Sequence, residues 1–265
     1  NLCYILLIMV EIKPNTYIDI HAHLSDERFD SVREKLIDRL QDFIVLNAGE
    51  NKKENIKVIN EYHSHANILP CIGLHPNEVI KLEEGQLSEN MSYLGENISK
   101  FFAVSEIGLD YKGKTEDNIA LEKRVLEQIL SLSEKYGKVC ILHSRKSMAD
   151  LLDILKSYKI KAILHNFEGN STQLSMAVDA GFFISVSTGF MKFKKDSLIK
   201  KIPLDHLFFE TDSPALNADG APGELNTPLN IVKIMQYFAD LRHVSMEELI
   251  ERIRSNFINV FRVNL

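Results

Sequence analysis

Short runs of apolar residues alternate along the chain with longer stretches in which apolar positions recur every three or four residues. The runs read YIDI (17–20), FIVLNA (43–48), ILPCIGL (68–74), FFAVSEI (101–107), VCILH (139–143), AILHN (162–166), FFISVS (182–187) and LFFET (207–211). β-Branched and aromatic residues dominate them, and their near-continuous apolar character is that of strands covered on both faces, as in a parallel sheet. The stretches between them carry helical spacing. In NIALEKRVLEQILSLSEKYG, Val125, Leu126, Ile129 and Leu130 form one stripe and Gly137 stops it. Ser245 and Glu248 are spaced as a capping box for a last helix over 246–261. Eight such alternations predict an α/β protein, a closed (β/α)8 TIM barrel of parallel strands in one domain over 17–265. A doubly wound open sheet is the alternative, but no G-x-G-x-x-G or P-loop follows any of the strands.

Composition narrows the class. Of 265 residues, 45% are hydrophobic and 26% charged, which is ordinary for a soluble globular protein. No run of apolar residues is long enough to span a membrane. Residues 1–16 read as an N-terminal extension. The opening NLCYILLI is too short for a span, has no basic leader, and is followed by Met9. Residues 1–8 therefore read either as a segment foreign to the native chain or as a short strand under the barrel floor. Cys3, Cys71 and Cys140 show no paired spacing, and the last two lie in apolar runs, as expected of buried thiols in a reducing cytoplasm. A net charge of −6 excludes a broad basic surface, so any nucleic-acid contact has to be local.

In a barrel, chemistry gathers where strands end. Strand 1 runs into His21 and His23, and strand 3 into His75. Strand 4 carries Glu106, strand 5 His143, strand 6 His165, and strand 8 Glu210 and Asp212. Residues i and i+2 of a strand share a face, so His21 and His23 converge. The chain holds an internal control: His63 and His65 are also two apart, but Ile56, Ile59 and Tyr62 place them at a helix C-terminus, where i and i+2 do not face each other. His63, His65, His206 and His243 are expected to be structural or solvated. Unpaired imidazoles and carboxylates crowded at one rim are costly to desolvate, and divalent cations resolve that cost. Four histidines and two carboxylates suffice for two metals with one carboxylate shared, and imidazole-rich ligation favours Zn²⁺, Mn²⁺ or Fe²⁺ over Mg²⁺.

The phrases DIHAHL, GLHP, EIGLDY, HSR, HNFEG, KFKK, IPLDHLFFETDSP and LNTP, in this order from about residue 17 onward, resemble the TatD-like metal-dependent hydrolases (TatD deoxyribonucleases) of the amidohydrolase superfamily. The resemblance implies a barrel with two divalent metals: His21, His23 and Asp212 on the first, His143 and His165 on the second, and Glu106 bridging them. It also implies that Asp212 orients and deprotonates the attacking water, and that the activity is hydrolysis of DNA phosphodiesters. Three positions depart from the family pattern. Asn166 stands where cysteine is usual, Ser105 where glycine is common, and Leu225 where an arginine is usual, which takes a cation from the mouth.

Other residues are expected to meet substrate. Arg145, two residues past His143, has a fork that grips two phosphate oxygens. Lys192, Lys194 and Lys195 interleave with Phe190 and Phe193 after strand 7, a pattern suited to phosphates and stacked bases or, equally, to a solvated helix start over two core phenylalanines. His75 reads as a phosphate contact or as a structural residue before Pro76, and Glu210 as a further polar contact or substitute base. The leading expectation is a phosphodiesterase acting on single-stranded or frayed DNA ends, as exo- or endonuclease, with no protein partner. The same metals would serve an ester, lactone or amide hydrolase, including one that deacylates mischarged (D-aminoacyl) tRNA. A barrel that binds metal and partners without turnover is the third reading, and the full ligand set argues against it.

Overall fold

A computed structural model describes residues 12–217 and 224–263, without the side chains of 61–64. Residues 1–8, the strand expected under the barrel floor, Cys3 and the His63 side chain lie outside the described residues.

Eight parallel strands stand in sequence order: β1 (Tyr17–Ala22), β2 (Phe43–Gly49), β3 (Ile68–Ile72), β4 (Ala103–Asp110), β5 (Cys140–Arg145), β6 (Ala162–Leu164), β7 (Phe183–Ser187) and β8 (Leu207–Glu210). The helices among the described residues are α1 (Arg33–Asp38), α2 (Lys52–Ser64), α3 (Pro76–Val79), α4 (Glu84–Asn97), α5 (Glu116–Tyr136), α6 (Met148–Leu155), α7 (Ser171–Asp179), α8 (Gly189–Lys192), α9 (Asp196–Ile199), α10 (Ile231–Arg242) and α11 (Met246–Phe261). The sheet curls into a nearly closed TIM barrel. Its ends meet where the Asp212 N–H donates to the His21 carbonyl (3.0 Å) and the His23 N–H to the Ser213 carbonyl (2.7 Å). β2, β3 and β4 are buried at every position, the continuous burial their apolar runs predict.

Local chemistry sets the helix ends. Thr115 caps α5 by accepting the Asn118 N–H, its stripe Val125, Leu126, Ile129 and Leu130 is buried, and Gly137 ends it at φ 63°. Ser245 accepts the Glu248 N–H at the start of α11, the serine half of the expected capping box. In α2 the buried face is rotated from the expected one: Asn55 and Val58 are buried while Ile56 is 44% exposed. The reason is polar. Asn55 donates to the Gly73 carbonyl (2.8 Å) and accepts its N–H (3.2 Å), tying α2 to the end of β3.

Two glycines let the backbone come close beside the site. A Cβ on Gly73 would lie 2.4 Å from the Glu106 carbonyl oxygen. One on Gly108, at φ +147°, would lie 2.0 Å from that of His143. Only glycine permits such approaches.

Candidate metal centre

Glu106 stands at the middle of the rim. The pairing of β4 with β5 is irregular between Val104 and Ile107, and the Glu106 carboxylate is buried among five imidazoles. Its Oε2 lies 3.3 Å from His21 Nε2 and 3.4 Å from His23 Nε2. Its Oε1 lies 2.7 Å from His143 Nδ1, 2.9 Å from His165 Nε2 and 3.4 Å from His75 Nε2. Asp212 Oδ1 is 3.8 Å from His21 Nε2 and 3.6 Å from His23 Nε2. The two oxygens of Glu106 thus face two different groups of nitrogens.

Partners on the far side of each ring set its orientation. His23 Nδ1 meets the Ala48 carbonyl at 3.2 Å, and His165 Nδ1 meets Glu210 Oε1 at 3.3 Å. Both partners are acceptors, so Nδ1 keeps its hydrogen and Nε2, facing the carboxylates, is the nitrogen that would give up its own to a metal, the usual outer support of a metal-binding imidazole. His21 Nδ1 meets Ser105 Oγ at 3.1 Å. His143 is turned the other way, with Nδ1 on Glu106 and Nε2 3.6 Å from Asp110 Oδ2.

Electrostatics point to a cation. Burial opposes ionisation of Glu106, yet His75, His165 and His21, with the hydrogen bond from His143, hold its carboxyl well below the usual range. Burial likewise opposes ionisation of Asp212, and His23, His165 and His21 outweigh it. Burial would lower His23 and His165, but the carboxylates facing them raise both well above the ordinary imidazole value. His21 is lowered, by burial first and by His165 next. The carboxylates draw positive charge from whatever is near. His21 Nε2 and His143 Nε2 are meanwhile buried without a hydrogen-bond partner, an arrangement a divalent ion repairs. The donor set fits a metal: His21, His23 and Asp212 offer atoms within 4.8 Å of one another, as do His21, Glu106 and His165.

The surroundings hold residues with no obvious sequence signal. A cleft of about 350 Å³ opens over the centre, lined by His23, His75, Glu106, His143, His165 and Asp212 at its base. Asp26, Glu50, Glu54 and Glu78 line its walls, with Arg28 and Lys81 as the cations. Arg28 grips Asp26 through Nε (2.9 Å) and a terminal nitrogen (2.7 Å). These residues come from the loop after β1, from the start and first turn of α2, and from α3 and its end. The parallel pairing of β1, β2 and β3 sets these segments side by side at one rim.

The expected substrate contacts divide. His75 lines the cleft. Arg145 ends β5, half-buried, and Lys192 and Lys194 are exposed after β7, but none of the three is among the lining residues. Lys195 is turned inward: its Nζ donates to the Phe167 carbonyl (3.2 Å) and sits 4.6 Å over the Phe190 ring. The phenylalanines separate too, Phe190 fully buried and Phe193 62% exposed. Glu210 is not positioned to meet substrate. It is fully buried, accepts the Ser185 hydroxyl (2.6 Å) and backs His165. His65 lies at the surface, 3.7 Å from Glu34, and His206 Nδ1 donates to the Phe182 carbonyl (2.8 Å), both away from the centre.

Among known proteins, the family model described as TatD related DNase matches residues 18–262. An uncharacterized metal-dependent hydrolase of Methanocaldococcus jannaschii is 27% identical over 94% of this chain and 98% of its own. The human protein named deoxyribonuclease TATDN3 is 26% identical over 92% of this chain and 94% of its own. The crystal structure of YJJV, a TatD homolog from Escherichia coli, superposes with a TM-score of 0.85 at 25% identity, covering 95% of this chain and all of that one.

Proposed function

The chain belongs to the TatD related DNase family, and from its place among these metal-dependent hydrolases we propose that it cleaves phosphodiester bonds of DNA, at single-stranded or frayed ends, with two divalent ions. The observation that carries this reading is the division of Glu106, with Oε2 toward His21 and His23 and Oε1 toward His143 and His165. His21, His23 and Asp212 would hold one ion, His143 and His165 the other, and Glu106 both. Zn²⁺, Mn²⁺ or Fe²⁺ suits these imidazoles better than Mg²⁺. Bound there, such ions would supply an acidified water and polarisation of the bond under attack.

The chain's own groups do the rest. Asp212, held ionised by the imidazoles beside it, takes the proton of the attacking water. Glu210 and the Ala48 carbonyl keep the His165 and His23 rings aimed. Arg28, on the cleft wall, is the cation best placed for a phosphate already in the cleft. Arg145, Lys192 and Lys194, outside the cleft, would hold the strand on either side of the scissile bond.

A second reading draws on the cleft walls. Asp26, Glu50, Glu54 and Glu78 outnumber Arg28 and Lys81 there, and Leu225 packs against the core without supplying a cation. An acidic wall suits a substrate with a cationic group beside the scissile bond, such as the α-ammonium of an aminoacyl ester on tRNA. The experiment that tests both is a substrate panel with Mn²⁺, Mg²⁺ and Zn²⁺: end-labelled oligonucleotides beside aminoacyl and p-nitrophenyl esters. Oligonucleotide cleavage well above ester cleavage supports the nuclease. The reverse order supports the second reading.

A further inference from the structure

His75 joins Glu106 and His143 in a group close enough to hold an ion, and by distance alone it would count as a fifth imidazole ligand. Its hydrogen bonds say otherwise. His75 is the N-cap of α3, and its Nδ1 accepts the Asn77 N–H at 3.0 Å. A neutral imidazole has one nitrogen with an in-plane lone pair and one with a hydrogen. Accepting at Nδ1 therefore puts the hydrogen on Nε2, which leaves that atom no lone pair for a metal. Turning the ring over would bring a carbon to the Asn77 N–H and forfeit the cap. The backbone is fixed as well: the His75 N–H donates to the Glu50 carbonyl (2.9 Å), and the His75 carbonyl accepts the Glu78 and Val79 N–H groups (2.8 and 3.0 Å).

The contrast with His23 and His165 is chemical. Their Nδ1 atoms face acceptors and keep a hydrogen, which lets Nε2 offer a lone pair once a metal displaces its own, whereas His75 Nδ1 faces a donor and makes Nε2 a hydrogen-bond donor. That donor is 3.4 Å from Glu106 Oε1, a long contact, and its side chain is 9% exposed at the base of the cleft. We propose that His75 is not a metal ligand but a fixed Nε2–H donor, which steadies Glu106 and reaches a non-bridging oxygen of a phosphoryl group in the cleft. The role rests on the phosphodiester reading, where negative charge builds on such oxygens and a pre-aimed donor is most useful.

The test separates ligand from donor. In protein labelled with ¹⁵N at histidine, His75 Nε2 should carry the hydrogen and stay protonated as Zn²⁺ is added, while His23 and His165 Nε2 shift on metal binding. His75→Asn keeps an N-cap acceptor for Asn77 but is too short to reach Glu106, so folding is preserved. It should retain the wild-type metal equivalents by elemental analysis. Its zinc-loaded form should bind inorganic phosphate about tenfold more weakly than the zinc-loaded wild type, the usual cost of one hydrogen bond. Loss of a metal equivalent in His75→Asn, or a metal-bound Nε2 at His75, overturns the proposal. So does wild-type phosphate affinity in the variant. A wild-type protein that neither binds phosphate nor cuts oligonucleotides fails at a different point, and takes the phosphodiester reading with it.

Discussion

Thr211 donates its backbone N–H and its hydroxyl to the two oxygens of the Asp19 carboxylate, at 3.0 and 2.6 Å, across 192 residues of sequence. The pair fastens β8 to β1 one residue before Asp212 and two before His21. Asp19 also accepts the His21 N–H at 3.3 Å. Burial pushes the Asp19 carboxyl up to about 8, against the hydrogen bonds from Thr211. The first and last strands each bring ligand-type residues, and this clamp sets the distance between them. Asp19→Ala is expected to remove the clamp and leave the Thr211 N–H buried without a partner, a loss of roughly 1–3 kcal/mol. Chemical denaturation reads the loss, and metal titration should show weakened binding in the same variant.

The two H-x-H motifs should behave oppositely. Replacing His21 and His23 by alanine is expected to abolish turnover and metal loading. The same change at His63 and His65 should leave both near wild type, because His65 sits at the surface by Glu34. Kinetics and elemental analysis on the two double variants check this. Equal losses would mean that the helix pair serves the reaction.

Metal and pH should move stability in opposite directions. Glu106 is depressed, so its contribution to the metal-free fold is complete above the ordinary 4.5 and is lost as pH falls through its lower folded value. His23 and His165 are raised, so theirs is complete below the ordinary 6.5 and is lost as pH rises through the higher folded values. The metal-free protein should therefore be most stable between these values. Metal binding needs deprotonated imidazoles, so added Zn²⁺ or Mn²⁺ should stabilise most above them and least in acid. Thermal melts across pH, with and without metal, read both slopes.

Glu210 is expected to act through His165. Glu210→Gln keeps the shape but weakens the hold on Nδ1, and metal affinity should fall by roughly 10–100-fold, the usual cost of losing such a support. The drop should appear in metal titration before any substrate is added. A variant with unchanged affinity and a higher KM would instead place Glu210 at the substrate.

Much of this was legible in the sequence because a parallel barrel repeats one simple signal. Each apolar run had to be covered on both faces, and the residue ending it had to sit at one rim, which placed His21, His23, Glu106, His143, His165 and Asp212 together without any three-dimensional information. The runs mark strand positions better than strand ends: β4 starts at Ala103 and continues to Asp110, beyond the apolar run, because Gly108 lets it pass close to β5. Ring orientation was not legible. Which nitrogen of His75 or His143 faces the centre depends on Asn77 and Asp110, whose roles arise only from packing. The inward turn of Lys195 was hidden for the same reason, since nothing local separates it from Lys192 and Lys194. The acidic cleft wall comes from three separate segments, and no single stretch announces it.

If the reading of a DNA-cleaving enzyme holds, Lys192→Ala with Lys194→Ala, and Arg145→Ala alone, should weaken cleavage of an oligonucleotide more than of a small phosphodiester such as bis-p-nitrophenyl phosphate. The double lysine variant should also reduce the salt slope of oligonucleotide binding by about two, one for each phosphate that a lysine no longer neutralises. Equal reductions on both substrates would remove these residues from the strand-binding surface.

Everything proposed for the reaction turns on Asp212 taking the proton of a water held over the metal centre. Asparagine is nearly the same shape and can still offer an oxygen to a metal, but it is a poor base. The decisive measurement is kcat of Asp212→Asn together with its metal content. The expected result is a fall of at least about 10²–10⁴-fold in kcat, the usual worth of a general base, with folding and substrate binding retained. Near-normal turnover with the metals in place would contradict it.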